Sequence, residues 1–108
     1  MGRIFGNIDK YSDLERDVLI NKIEDIDKKL NKHIDNYGMY MKSIRDILVE
    51  ISFILGINEL FEFIDLLEYA RLSKEEEFVS ELKKLKKVRE LSGRVDSWIN
   101  MVSKELGG

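Results

Sequence analysis

An apolar stripe that holds heptad spacing through the first half of the sequence constrains this chain more than any other feature. It runs Leu19, Ile23, Ile26, Leu30, His33, Tyr37, Tyr40, Ile44, Ile47, Ile51, Ile54, in steps of three and four. That spacing puts every member on one face of an α-helix. Ile20, Ile34, Met41, Leu48 and Leu55 adjoin the stripe and widen the face. A face of about three apolar positions in seven suits a helix buried in a bundle better than the narrow seam of a two-stranded coiled coil.

Composition agrees. Proline, threonine and glutamine are absent, and Ala70 is the one alanine, so helix breakers are few and Ile, Leu, Lys, Glu and Asp fill the chain. Absence of cysteine excludes a disulfide framework, a thiolate metal site and a thiol nucleophile. With 108 residues, 44% of them hydrophobic, the chain suits one domain, 1–108, with a sizeable core. A charged content of 36% without Gln or Cys is a bias of thermophilic proteins, and an AT-rich genome produces a similar one.

Capping signals divide the pattern. Ser12, Asp13, Leu14 and Glu15 form a capping box, and on the outer face Glu24 precedes Lys28 and Asp25 precedes Lys29 at the favourable spacing. Asn36, Tyr37 and Gly38 offer a stop in which Gly38 takes the left-handed conformation of a C-cap. The stripe nevertheless passes through Gly38 in register. A helix continuous over 13–55 would span about 65 Å and require a partner chain, being about twice the diameter of a compact domain of this size. Gly56 suits a C-cap and Asn58 the next N-cap. Residues 59–72 are apolar around most of a helical circumference, which places that segment in a core or an intermolecular interface. Ser73, Lys74, Glu75 and Glu76 form a second capping box. After it Phe78, Leu82, Leu85, Val88, Leu91, Val95, Trp98 and Val102 mark a last helix, with a change of packing partner at the three-residue steps and a kink at Gly93.

These signals predict an all-α fold: a small bundle of about four helices at 13–37, 39–55, 59–72 and 74–106. The first and last are long, and the bundle self-associates with coiled-coil-like packing. Residues 1–11 form an N-terminal arm and 107–108 a flexible tail.

Chemistry-bearing patterns are sparse. His33, the single histidine, sits on the apolar stripe and reads as a partly buried packing residue. Glu59 and Glu62 resemble half of the acidic motif of all-helical nucleotide pyrophosphohydrolases. The other half has no counterpart, because Glu77 and Glu81 are spaced by four and lack the aspartate. Ile23, Ile26, Asp27 and Leu30 resemble the opening helix of all-helical chorismate mutases, but Tyr37 stands where that family has an arginine. No catalytic, cofactor-binding or metal-ligating residue is predicted.

Charge is uneven around a formal net of -3. Residues 46–68 carry Asp46, Glu50, Glu59, Glu62, Asp65 and Glu68 without a Lys or Arg. Residues 83–94 carry six bases against Glu90. Lys83, Lys86, Lys87 and Arg94 are the candidate phosphate contacts for nucleic acid. No aromatic residues are interleaved for base stacking, so such binding would be sequence-independent and salt-sensitive. The plainer reading of these bases is a solvated face.

Ile4, Phe5 and Ile8 fall short of a signal-peptide core, and Glu50, Glu59, Glu62 and Asp65 interrupt the apolar run at 47–67 against lipid burial. The expectation is a cytoplasmic, non-enzymatic interaction protein, a homo-oligomer held by Phe53, Phe61, Phe63 and Leu67 that serves as an accessory or scaffold subunit. The alternative is a small nucleic-acid-associated protein.

Overall fold

The long heptad stripe is shared between two helices. The structure is a computed structural model that describes residues 13–107, so Ser12, the arm 1–11 and Gly108 lie outside the described residues. Helix α1 spans Asp13–His33, a 3-10 turn spans Tyr37–Met39, and α2 spans Lys42–Leu55. The reversal occurs at Asn36, whose φ of 59° and ψ of 23° lie in the left-handed region, and not at Gly38, which has no positive φ. Asparagine tolerates that region because its short polar side chain can bond locally. The continuous 13–55 helix is thereby excluded, and with it the need for a partner chain. The molecule measures 38 × 30 × 28 Å with a radius of gyration of 13.5 Å, close to the ~13 Å of a self-contained domain of this length.

The expected helix 59–72 is also divided. A single-turn helix α3, Ile57–Leu60, is followed by a tight turn and then by α4, Ile64–Arg71. Phe63 has φ -82° and ψ 69°, and the Ile64 N–H donates to the Glu62 carbonyl at 2.9 Å, which is an inverse γ-turn. A helix apolar on every side cannot bury every side against a small core. Breaking it sends Leu60, Leu66 and Ala70 inward and leaves Phe61 and Phe63 half-buried. Gly56, with φ 102° and ψ 152°, is outside the left-handed helical C-cap geometry. It serves as the residue before α3, and Asn58 lies inside that helix.

Ser73 does not open a capping box. Its φ of 56° is left-handed, its N–H donates to the Ala70 carbonyl at 3.2 Å, and the Lys74 N–H donates to Tyr69 at 2.9 Å. That pair of bonds is a Schellman motif ending α4, with serine in the position glycine usually takes. Helix α5, Glu75–Lys84, starts with three glutamates at the positive end of its dipole.

The single last helix expected at 74–106 is three pieces: α5, a 3-10 turn at Leu85–Lys87 with further turns after it, and α6, Val95–Gly107. The three-residue steps at Leu85, Val88 and Leu91 have a structural meaning. Val88 donates to the Leu85 carbonyl at 2.9 Å, Leu91 to Val88 at 3.0 Å and Arg94 to Leu91 at 2.9 Å. Each step is a three-residue turn, which puts side chains three apart on one side. Leu85 and Leu91 are thereby buried without an α-helix between them. Gly107 is the last residue of α6.

The fold is therefore all-α, with six α-helices and no strand among the described residues. Helix α2 is central, packing against α1, α3 and α6, while α5 packs against α4 and α6. Its Ile44, Ile47, Leu48, Val49 and Ile51 are buried on several sides. Phe78, Leu82, Trp98 and Val102 close the core from α5 and α6. Full burial of one such aliphatic side chain contributes about 1.5–3 kcal/mol.

Candidate interaction surface

Helix α4 begins at the surface on a ridge. Ile64 is 72% exposed, more than any described large hydrophobic except Met39. The γ-turn at Phe63 puts Phe61 and Phe63 to either side of it. Two grooves result, and Ile64 lines both.

The first groove is bounded by His33 and Ile34 from the end of α1, by Tyr40, and by Phe61, Leu67, Glu68 and Arg71. His33 is exposed and meets the Phe61 ring edge-on, with centroids 6.4 Å apart and planes at 84°. The expected partly buried core histidine is therefore a surface residue on an aromatic wall. Helix α1 ends at this residue. Arg71 pairs with Glu68 at the rim, which lowers the Glu68 carboxyl and raises Arg71 through that shared hydrogen bond.

The second groove, about 520 Å3, lies between the 62–66 segment and α5 with its 3-10 turn. It is lined by Glu62, Phe63, Ile64, Asp65 and Leu66 from one stretch of the chain and by Glu81, Lys84, Leu85 and Val88 from another. Lys84 binds Glu81 at 2.7 Å, which raises the lysine, and the Asp65 charge acts in the same direction from across the groove.

Of the four residues expected at an interface, Phe61 and Leu67 line the first groove and Phe63 the second. Phe53 is half-buried on α2 against the core and lines neither. Ile64 and Tyr40 are the surface residues that periodicity missed. Ile64 stands four residues after Leu60, so a continuous helix would have buried it, and only the γ-turn exposes it.

The basic residues do not share one helix face. Lys83 lies in the last turn of α5, Lys86 and Lys87 lie in the 3-10 turn, and Arg94 lies in the turn before α6. Lys86 pairs with Asp96 at 2.9 Å. Arg94, half-exposed, reaches the buried Glu50, its Nη1 donating to Glu50 Oε1. Trp98 Nε1 donates to Glu50 Oε2 at 2.8 Å. Glu50 is 2% exposed, and burial raises its carboxyl, opposed by the Trp98 hydrogen bond and the Arg94 charge. Lys83 and Lys87 remain exposed, with no ion pair to another described residue.

Two further polar contacts fix the elements behind the ridge. The Tyr37 hydroxyl donates to Asp27 Oδ1 at 3.0 Å, tying the chain reversal to α1. Burial first, and then the Asp27 charge, push this phenol far above its usual range. Glu105 of α6 caps α2: its Oε1 accepts from the Ser43 N–H at 2.7 Å and its Oε2 from the Lys42 N–H at 3.1 Å. Donation from Ser43, followed by that from the Lys42 backbone, holds the Glu105 carboxyl below its ordinary value.

Among the described residues no three of His, Asp or Glu gather as metal ligands, and no helix is long and apolar enough to cross a membrane. No family model matches the sequence, and no curated protein or solved structure matches it either.

Proposed function

We propose that this protein is a non-enzymatic helical interaction module, an accessory or scaffold subunit that meets a protein partner through the ridge of α4. The observation that carries the reading is Ile64, an isoleucine 72% exposed between two grooves with largely apolar floors. A large exposed aliphatic flanked by half-buried aromatics and rimmed by charge is the composition of a protein-binding patch. Ion pairing of Arg94 and Lys86 leaves fewer bases for phosphate, which favours the protein-binding reading over nucleic acid.

A photo-crosslinking side chain at position 64 tests it, with position 22 on the exposed side of α1 as the control. In extracts of the native cells, position 64 should yield adducts of discrete mass, and position 22 none. Equal labelling at both positions, or none at 64, would overturn the reading.

A further inference from the structure

We infer that the chain carries a second binding surface, separate from the ridge, on which Lys83, Lys87 and Arg89 hold the phosphate backbone of a nucleic-acid duplex without reading its sequence. Of the four bases that the sequence offers as phosphate contacts, Arg94 and Lys86 are engaged by Glu50 and Asp96. The structure leaves Lys83 and Lys87 and adds Arg89. All three are exposed, and none is ion-paired to another described residue. None of them lines either groove.

The placement follows from how the segment is anchored. Leu85 and Leu91 are buried and Val88 is half-buried, with Val88 and Leu91 each donating to the carbonyl three residues back, so the bases between these anchors stand in solvent. Residues 83–89 hold five bases and no acid, whereas the lysines of α1 alternate with Glu24, Asp25 and Asp27. Lys84 and Lys86, the two bases of this run held by Glu81 and Asp96, have side chains 66% and 50% exposed. Ion pairs so open to water contribute little, and a phosphate can replace the carboxylate. Because Leu85 and Val88 turn to the core and the groove, Lys83, Lys87 and Arg89 offer charge without an apolar centre. A protein interface needs such a centre. A phosphate backbone does not, since the gain comes from releasing its condensed counterions. No aromatic residue lies within 83–89 to stack on an unpaired base, which leaves the duplex backbone as the ligand.

Fluorescence anisotropy with a labelled DNA duplex of mixed sequence tests this. Wild type should bind in about 50 mM salt, with log K falling against log salt at a slope of about -2.7, the value for three neutralised phosphates. The triple variant Lys83→Gln, Lys87→Gln, Arg89→Gln should bind at least about tenfold more weakly and lose most of that slope. The same charge change on exposed residues of α1, Lys22→Gln, Lys28→Gln, Lys32→Gln, should leave affinity within about threefold of wild type. Circular dichroism verifies that each variant folds. If the triple variant does not, Lys83→Gln and Lys87→Gln made singly should each reduce the slope by about 1. A wild type that does not bind at low salt, or equal weakening in the α1 control, overturns the inference. So does tighter binding to poly-glutamate than to the duplex, which would make the partner an acidic protein. Ile64→Asp should bind the duplex as wild type does, and weakening by that substitution would put the contact on the ridge and overturn the separate surface.

Discussion

Without the Glu105 carboxylate, two N–H groups at the start of α2 would have only water to bond. Glu105→Ala should therefore cost about 1 kcal/mol, the worth of a helix cap, read as a lower urea midpoint near neutral pH. Because the folded-state carboxyl is lowered, its contribution is complete above the ordinary value of 4.5 and lost as pH falls through the folded value. Wild type and variant should converge in acid. Glu50 works in the opposite direction. Its carboxyl is raised by burial, so the native state holds a proton that the unfolded chain has released, and stability declines as pH rises from 4.5 through the folded value. Glu50→Gln should flatten that decline in urea titrations run upward from pH 4.5, while its side-chain oxygen still accepts from Trp98. Neither role is legible in the linear pattern. Glu50 reads there as one more surface acid of the 46–68 run, although a buried tryptophan elsewhere in the chain needs an acceptor. Glu105 bonds residues more than sixty positions away, a distance that no local cap motif spans.

The all-α class was legible in the sequence, and helix ends were not, because tertiary burial and backbone conformation decided the ends. At 59–72 the apolar residues were too many for one buried face, and the chain answered with a γ-turn at Phe63. At 85–94 the three-residue spacing was visible but described successive turns, not a rotating stripe. At 73–76 a serine followed by glutamates has the letters of a capping box, yet Ser73 adopts the left-handed conformation of a C-cap. Ser73→Gly should accordingly stabilise the protein by about 0.5–1 kcal/mol, since glycine holds that conformation without a Cβ penalty, seen as a rise in melting temperature. Gly56→Ala should act in the opposite sense. A Cβ there meets nothing within 4 Å, so its φ of 102° alone sets the cost, about 1–3 kcal/mol for a strained non-glycine residue.

In the whole molecule, α2 is wrapped by its neighbours and the core closes within one chain, which removes the long-helix argument for a partner while exposing a different one. Phe61, Phe63 and Leu67, expected at an oligomer interface, are half-buried along the two grooves, while the residue between the grooves was hidden by the assumption that its helix was continuous. Ile64 belongs to a surface rather than to the core. Urea unfolding of Ile64→Asp, at a dilution where the chain is monomeric, measures this directly. An exposed position at the first turn of α4 accepts an acid well, because the helix dipole favours it there. The unfolding free energy should stay within about 0.5 kcal/mol of wild type. A loss of several kcal/mol, the cost of forcing a carboxylate into an apolar core, would contradict the ridge and the reading built on it.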